Sequence, residues 1–416
     1  MKIGIITTRF SKEDLHGDGE IVKGIYYHLS ASVKIDIITS DIINTEPYVK
    51  ILPLKARSVN GYSNNIDIKR IKTYPLIELA FFPLSRGMRF SDRLGINLYK
   101  YPTLDILRLI YDGFFAPRLF NCIVKEKYDI IHAHTFPRFS SFIAMKAAKK
   151  DHIPFIFSPY YHFANRSFEH SSALDIMLHE ASFVVAQTNL EREKLIQKGA
   201  NPRKTVVIPP SFDKEKSEFK KFSKDRMKEF FNLMGKFVIL THPWTSKGGT
   251  VVLRMASEIL RDFPDIEILT IGVPDKDFLK TQEILKEQSG LSVVNLGWVS
   301  SEVKWKAFWS ADVFAMFSFN DSFGLSYLNA MAAELPIIAD KNSSAASIIN
   351  NYEDGILVDT KNNEEILLAL KSLINNEELR LRIGKSASVR VDESFSPKTM
   401  AELYLNLYER ANRKKI

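Results

Sequence analysis

Two absences restrict what this chain of 416 residues can be. Cys122 is the only cysteine, so an intrachain disulfide is excluded, which fits a reducing compartment. No stretch approaches the roughly 18 apolar residues that a membrane-spanning helix needs. The apolar run at residues 1–6 is too short for the core of a secretory signal and predicts a first β-strand instead. We therefore expect a cytoplasmic protein without a membrane-spanning helix.

A dinucleotide-binding fingerprint is also missing from the start of the chain. Gly17 and Gly19 lie in a polar loop after the first predicted strand, but their spacing is not GxGxxG. A predicted helix and a second strand follow this loop, an opening typical of a doubly wound nucleotide-binding-type domain. We therefore expect Gly17 to let the loop pass close to a substrate.

The length of the chain and the alternation of predicted strands and helices together predict two domains. A single hydrophobic core stops growing near roughly 250–300 residues. Strand-like apolar runs alternate with segments of helical periodicity up to residue 210. The same alternation begins again after a polar segment at 209–235, which is typical of a hinge and linker. We predict two α/β/α domains, 1–210 and 211–396, with the site in the cleft between them. The last helix, 397–416, is predicted to pack back on the first domain.

The net charge of +8 is concentrated in the first half of the chain. Residues 1–210 hold 29 Lys and Arg against 20 Asp and Glu, whereas residues 211–416 hold 28 against 29. Such a basic surface suits nucleic acid, an anionic membrane or a phosphorylated substrate, and it also occurs with no specific ligand. In the segment FFPLSRGMRF, Pro83 and Gly87 argue against a helix and aromatic residues alternate with Arg. It is predicted to be a loop that folds onto the domain, dips into a membrane surface or contacts an acceptor.

The stretch from 313 to 340 predicts a strand, a short loop, a helix and another strand. Three polar residues in the loop are candidates for the helix N-cap: Asn320, Asp321 and Ser322. A phosphate bound at the helix start would meet the amides near Phe323, Gly324 and Leu325. The alternative is an ordinary turn between strand and helix, with the Asp as its cap.

Three further patterns have both a functional and a structural interpretation. Lys247 precedes two glycines, which favours a phosphate-binding loop over a solvated lysine. His132 and His134 share one face of a predicted strand, but no third ligand is near, so we expect no metal site. The segment 275–277, DKD, is predicted to be a charged loop.

Several segments resemble, in their order along the chain, the family-4 retaining glycosyltransferases of the two-Rossmann-domain (GT-B) type. In the first half these are YDIIHAH, IPFIFSPYYH, ASFVVAQTNLEREKLIQKGA and IPPSFD. In the second half they are WTSKGG, LGWVSSEVKWKAFWSADVFAMFSF, DSFGLSYLNAMAAELPII and EDGILVD. The resemblance implies an α/β GT-B fold with two Rossmann-like α/β/α domains facing across a cleft. The first domain would take the acceptor and the second would take the donor.

Some positions depart from the pattern of this family. Asp321 and Asn329 stand where the family usually has a spaced pair of Glu residues, which contact the donor sugar and the ribose. His242 replaces an Arg and is neutral for much of the time near pH 7, whereas Lys247 is retained. Further replacements fall at Thr241, Glu334, Ser343, Ser344 and Ser347.

The resemblance implies transfer of a sugar from a nucleotide-sugar to a glycan or lipid-linked acceptor, in the synthesis of cell-surface polysaccharide or glycoprotein glycans. Lys247 and the amides near Gly324 would hold the diphosphate, Asp321 would orient the donor sugar, and His162 or Tyr160 would lie on the acceptor side. Neither a metal cofactor nor a nucleic acid is expected, and the enzyme would touch an anionic membrane peripherally at its inner face. The alternative is an inactive or partner-dependent relative that binds glycan or acts as a scaffold.

Overall fold

The computed structural model describes residues 1–7, 18–40, 65–74, 80–112, 115–213 and 223–413. The chain divides into two compact units, Met1–Ser211 with Pro397–Ile416, and Phe212–Ser396. It thus leaves the first unit after residue 211 and returns to it for the final helix. None of the described helices is long and apolar enough to cross a membrane.

The first unit is built on a parallel sheet. Its strands are β1 (Lys2–Ile6), β2 (Lys34–Ser40), β3 (Ile66–Ile71), β4 (Ile130–His134), β5 (Phe155–Ser158), β6 (Phe183–Ala186) and β7 (Thr205–Val207). They lie in the order β3-β2-β1-β4-β5-β6-β7. β1 is central, and the isoleucines Ile3 and Ile5 are fully buried, as expected of a strand covered on both faces. The order of strands reverses between β1 and β4, which is where ligands bind in such sheets.

Helices cover both faces of this sheet. They are α1 (Asp18–Leu29), α2 (Phe82–Arg93), α3 (Pro102–Asp112), α4 (Arg118–Glu126), α5 (Phe139–Lys150), α6 (Arg166–Glu169), α7 (Ser172–Glu180), α8 (Asn189–Gln197) and, from the end of the chain, a helix at Pro397–Arg413. The buried face of α5 includes the small residues Ala144, Ala147 and Ala148 beside the larger Phe142 and Met145. The helix Pro397–Arg413 packs against α1 and buries Tyr404 and Tyr408.

The second unit repeats this architecture with six parallel strands. They are β8 (Phe237–Thr241), β9 (Ile266–Thr270), β10 (Val293–Asn295), β11 (Val313–Met316), β12 (Ile337–Asp340) and β13 (Ile356–Val358), in the order β10-β9-β8-β11-β12-β13. Its helices are α9 (Lys224–Phe230), α10 (Gly249–Ile259), α11 (Lys276–Ser289), α12 (Ser301–Ser310), α13 (Leu325–Ala332), α14 (Asn363–Asn375) and α15 (Glu377–Ser394), so that the helix Pro397–Arg413 is α16. The order of strands reverses between β8 and β11, and the loops after these two strands define the candidate site.

The segment Phe81–Phe90, predicted to be a loop, is helical. Pro83 does not break α2 because it lies in the first turn, where no intrahelical N–H bond is required. Gly87 is tolerated within the helix, and a β-carbon there would meet nothing within 4 Å. α2 buries only a narrow stripe of residues, Ser85, Met88 and Asp92. The prediction was wrong because a proline breaks a helix only beyond its first turn, and a single glycine costs a helix only about 1 kcal/mol.

Two features of the first unit and one of the second complete the fold. α3 and α4 are separate helices, because Pro117 starts the second. β3 is an edge strand of the first sheet, and its charged residues suit an exposed edge. The predicted hinge and linker at 209–235 contains α9, which is anchored where Lys228 contacts the buried carboxylate of Asp312 at 2.7 Å.

Candidate active site

The loop after β8 places Lys247 beside the end of β11. A single 3₁₀ turn, Thr245–Lys247, leads to Gly248 in the left-handed region (φ +77°), and α10 begins at Gly249. The carbonyl of Lys247 accepts a hydrogen bond from the Phe317 amide at 2.9 Å. A β-carbon on Gly248 would lie 2.5 Å from Cβ of Phe317. The first of the two glycines is therefore required by the close passage of this loop along β11.

Lys247 is paired with Asp321 from the loop after β11. The Lys247 ammonium contacts both carboxylate oxygens of Asp321. The two side chains are 22% and 13% exposed, so the pair is largely desolvated yet accessible from solvent. A cation and an oxygen acceptor thus stand together at the carboxyl edge of the sheet, where the order of strands reverses.

The start of α13 is open to an anion. The sequence predicts a side-chain cap from Asn320, Asp321 or Ser322, but the N-cap residue is Gly324 and no side chain caps the helix. Gly324 has φ +90°, and a β-carbon there would lie 2.9 Å from the Tyr327 ring. Because the N-cap residue is a glycine, it has no side chain to accept from the first amides of α13, which are therefore suited to an anionic ligand. The cap prediction was wrong because Asp321 is drawn to Lys247.

The neighbours of Gly324 are placed as follows. Phe323 is buried against Phe395, with ring centroids 5.9 Å apart, and its carbonyl accepts a hydrogen bond from Ser344 Oγ at 3.0 Å. Leu325 is the first residue of α13 and is half-buried. Asn329 lies one turn further along α13 and is 8% exposed. Phe323 is thus held by packing on Phe395 and by the hydrogen bond from Ser344, directly before Gly324.

His242 is held between β9 and α13. One ring nitrogen, Nδ1, lies 2.9 Å from the carbonyl of Ile271, and the other, Nε2, lies 2.7 Å from Ser326 Oγ. The ring stacks on Trp244 with an interplanar angle of 13°. Both ring nitrogens face protein groups although an edge of the residue remains exposed, and this burial lowers the pKa of His242 to about 4. His242 is therefore neutral near pH 7 in the free protein.

Asp275 was missed as a residue of this site. It lies directly before α11 and caps this helix by accepting from the Phe278 amide at 2.8 Å. Of the segment 275–277, predicted to be a charged loop, Lys276 and Asp277 belong instead to the first turn of α11. The other carboxylate oxygen of Asp275 accepts from the Thr245 amide at 2.7 Å and so holds the turn that carries Lys247. An Asp directly before a helical pattern is the signal that could have identified it.

Two acceptor-side candidates lie in the first unit, in the segment after β5. Tyr160 is buried, has φ +54°, and its hydroxyl lies 2.6 Å from His134 Nδ1. His162 is exposed and has its ring edge-to-face with Phe168, at 5.5 Å between centroids. His162 is therefore the more accessible of the two. The third candidate of this unit, Gly17, lies outside the described residues.

Glu191, at the start of α8, supports the segment that carries these candidates and was also missed. Its two carboxylate oxygens accept from the amides of Tyr161 at 2.7 Å and Gln187 at 2.6 Å. Burial raises the pKa of this fully buried carboxyl to about 7, although both amide bonds oppose the shift. The sequence signal was the capping-box pattern TNLE, in which Thr188 caps α8.

The ring nitrogens of the two histidines of β4 lie within hydrogen-bond distance of hydroxyl groups. His132 Nε2 lies 2.8 Å from Ser158 Oγ, and His134 Nε2 lies 2.6 Å from the Tyr26 hydroxyl. Burial lowers the pKa of both imidazoles, and the neighbouring His134 adds to the lowering at His132. Within the described part of the chain, no group of three His, Cys, Asp or Glu residues could hold a metal ion. His132 and His134 are therefore structural members of a buried network.

Two Rossmann-like units with these loops define a protein of the GT-B glycosyltransferase class. Solved structures share the fold over nearly the whole chain. HepE from Anabaena, in complex with UDP and glucose, has a TM-score of 0.69 at 15% identity and covers 99% of this chain and 100% of its own. Sucrose-phosphate synthase from Thermosynechococcus elongatus has a TM-score of 0.70 at 16% identity, with 99% of each chain covered.

The family models that match the chain, and its curated relatives, agree with this class. The model described as Glycosyltransferase Family 4 matches residues 78–216, and Glycosyl transferases group 1 matches residues 221–390. The chain belongs to the family-4 glycosyltransferases.

Two curated relatives illustrate the range within the family. D-inositol 3-phosphate glycosyltransferase from Rhodococcus opacus is 26% identical over 248 residues, covering 56% of this chain and 54% of the relative. Alpha-monoglucosyldiacylglycerol synthase from Acholeplasma laidlawii is 22% identical over 349 residues, covering 76% and 86%. The chain spans about half the length of the inositol phosphate glycosyltransferases that it matches.

Proposed function

We propose that the protein transfers a sugar from a nucleotide-sugar to an acceptor hydroxyl, with retention of configuration at the anomeric carbon. The observation that carries this proposal is the Lys247–Asp321 pair next to the uncapped start of α13. Together these groups offer a cation and free amides to a diphosphate, and a carboxylate to sugar hydroxyls. The UDP and UDP-glucose complexes of HepE support a nucleotide-sugar as the donor.

In the proposed reaction the bond between the anomeric carbon and the diphosphate oxygen breaks, and its electron pair stays on the diphosphate. Lys247 and the amides at Gly324 stabilise this developing negative charge, which is the main electrostatic task of the site. Asp321 orients the donor sugar, and Asn329 binds the ribose. His162 is the residue proposed to meet the acceptor. Because the ammonium and the amides neutralise the leaving group, the reaction is proposed to need no metal.

The exposed side chain of Trp298 suggests how the base of the nucleotide-sugar is bound. This side chain follows β10, is 74% exposed, and its ring lies 6.4 Å from that of Trp244 at an angle of 51°. An exposed indole offers a flat surface on which a planar base can stack, worth about 1–3 kcal/mol in nucleic-acid complexes. The proposed donor therefore extends from Asp321, at the sugar, past Lys247 to Trp298, at the base.

A panel of nucleotide-sugars tests the donor proposal through thermal stability. A ligand that binds only the folded protein raises the melting temperature by mass action. At a hundredfold excess over Kd, the stabilisation of about 2.7 kcal/mol corresponds to a rise of roughly 5–10 °C. We expect such a rise with one nucleotide series, followed by sugar transfer in an acceptor screen. If no nucleotide-sugar raises the melting temperature, a glycan-binding or scaffold role becomes the better account.

We also propose that the acceptor is presented at an anionic membrane surface. α2 exposes Phe90 at 62%, and Leu94 just after the helix is 64% exposed. Basic side chains, Arg86 and Arg93, lie on the same exposed helix. An amphipathic helix with exposed aromatic and basic residues suits the headgroup region of a bilayer, where each cation contributes about 1 kcal/mol. The similarity to a glucosyldiacylglycerol synthase supports a lipid-linked acceptor.

Vesicle sedimentation tests the membrane proposal. The protein is expected to bind vesicles rich in phosphatidylserine at low salt, and Phe90→Ser with Leu94→Ser should weaken binding at least tenfold. Each apolar side chain contributes about 1.5–3 kcal/mol when fully buried, so partial insertion of two is sufficient. Leu368→Ser is the matched control, because Leu368 is 69% exposed but lies on α14 of the other unit. If the double variant binds these vesicles as strongly as the unmodified protein does, α2 is not the membrane-binding element.

A further inference from the structure

His242 and Ser326 form a pair whose proton arrangement can be deduced. The carbonyl of Ile271 can only accept, so His242 Nδ1, at 2.9 Å, must carry a proton and donate it. In the neutral imidazole Nε2 is then an acceptor, and it takes the hydroxyl proton of Ser326 at 2.7 Å. In the free protein the Ser326 hydroxyl is therefore turned toward His242 and presents only lone pairs elsewhere.

Ser326 is also placed to reach a ligand. It is the second residue of α13, so it belongs to the helical turn whose amides no side chain caps. The residue is half-buried, as are Gly324 and Leu325, so one side of this turn faces solvent. A phosphate at the amides of this turn would lie within reach of the Ser326 hydroxyl. In the free protein, however, that hydroxyl would meet the phosphate with lone pairs, which is repulsive.

Resting on the proposed function, we propose that His242 and Ser326 act together in donor binding, and that binding takes up one proton from solvent at His242 Nε2. The protonated Nε2 then donates to Ser326 Oγ, and the Ser326 hydroxyl turns its own proton to a phosphate oxygen. No covalent bond to carbon or phosphorus changes in this step. Ser326 is thereby a residue that contacts the donor, and His242 is a positioning residue that acts through it.

The charges around His242 are consistent with such a change. Burial is the main cause of its low pKa in the free protein, the Ile271 carbonyl opposes the shift, and the nearby charges come from Lys247, Asp321 and Lys304. Lys247 and Asp321 are paired with each other, so their effects on His242 largely offset. A diphosphate would add two negative charges at the mouth of the site, which favours the imidazolium. The pKa of His242 is therefore expected to rise when the donor binds.

The sign of the pH effect follows from linkage. If the complex binds more protons than the free protein, the affinity increases as pH falls between the pKa of His242 in the complex and its free value of about 4. Within that window Kd changes by up to about tenfold per pH unit. UDP-glucose is the suitable probe, because its diphosphate has no terminal phosphate group to titrate near pH 6, unlike UDP.

Calorimetry of UDP-glucose binding from pH 5.5 to 8.5, in buffers with different ionisation heats, tests the proposal. We expect proton uptake of up to one per site and a Kd that rises about tenfold or more from pH 5.5 to 7.5. Ser326→Ala and His242→Gln should bind more weakly at pH 5.5 and lose both the uptake and the pH dependence. Ser326→Thr, which keeps the hydroxyl, should retain both.

The outcomes separate this inference from the proposed function. Binding that is lost in Lys247→Ala but is independent of pH, without proton uptake, overturns the inference and leaves the donor site standing. Binding by Ser326→Ala with unchanged proton uptake also overturns it. Absence of binding by every nucleotide-sugar overturns both. Independently of any ligand, histidine NMR of the free protein should find His242 neutral with the proton on Nδ1 at pH 6.5, and an imidazolium at that pH would contradict the inference.

Discussion

Replacing Lys247 with alanine is expected to lower kcat/KM for sugar transfer by a factor of about 100–1000, with most of the loss in kcat. This is the range found when one pre-organised donor to a developing anion is removed from an active site. The ammonium contacts both carboxylate oxygens of Asp321 in the free protein, and its third proton can bind a diphosphate. The loss should fall on kcat because negative charge grows on the leaving group as the bond breaks.

Two variants make this measurement specific. Lys247→Met keeps the apolar stem and removes only the charge, so it should lose as much activity as Lys247→Ala. Lys371→Ala is the matched control, because Lys371 also pairs with an aspartate, Asp262, at 3.1 Å, but on an exposed surface of the same unit. The control should be within twofold of the unmodified protein. Activity of Lys247→Met within tenfold of the unmodified protein would exclude a central role for this charge.

Stability must be measured alongside activity in the Lys247 variants. Removing the ammonium leaves the Asp321 carboxylate, only 13% exposed, without its main partner. Such a loss destabilises the folded state, but Asp321 can still reach solvent, so the unit is expected to remain folded at 25 °C. Activity is therefore compared well below the melting temperature of each variant.

Elements with strong apolar periodicity could be predicted from the sequence. α16, predicted over 397–416, is a helix at Pro397–Arg413, because its buried residues recur on one face with polar residues on the other side. The GT-B class was likewise confirmed, since it depends on the order of strands and helices. α11 was missed because only Phe278 is buried in this helix, so its sequence has almost no apolar stripe. Propensity and capping determine such a helix, and both are weak signals.

The candidate site, too, could be predicted only in part from the sequence. Lys247 and Gly324 stand out in short motifs, but the partner of each residue depends on the tertiary fold. The contact between Lys247 and Asp321 joins residues 74 positions apart, and that between His242 and Ser326 joins residues 84 apart. Local rules assigned Asp321 to the cap of α13, whereas a distant ammonium is its stronger partner. Contacts of this kind follow from the pairing of β8 with β11, which a local pattern does not specify.

Gly248 is the position where a single methyl group should disturb the site most. Its backbone is left-handed, at φ +77°, and a β-carbon would lie 2.5 Å from Cβ and 2.9 Å from the carbonyl oxygen of Phe317. Phe317 belongs to the segment that leads from β11 to Asp321, and its amide binds the Lys247 carbonyl. Neither backbone can yield without separating the two loops that bring Lys247 and Asp321 together.

Gly248→Ala is therefore expected to destabilise the second unit by about 3–5 kcal/mol, the range of strain combined with overpacking. Tryptophan fluorescence reports on this unit alone, because all four tryptophans lie in it: Trp244, Trp298, Trp305 and Trp309. Thermal unfolding followed by this signal should shift by roughly 6–20 °C, at about 2–4 °C per kcal/mol for a unit of this size. Donor affinity at 25 °C should also fall at least tenfold, since the Lys247 loop is displaced.

Gly290→Ala separates backbone strain from steric clash. Gly290 ends α11 with φ +76°, nearly the same angle as Gly248, but a β-carbon there would meet nothing within 4 Å. Its replacement should cost only the left-handed penalty of about 1 kcal/mol, without loss of donor affinity. The difference between the two variants then measures the contact with Phe317. If both variants lose the same stability, the close passage of the Lys247 loop along β11 does not constrain the site, and the glycine is needed only for its backbone angle.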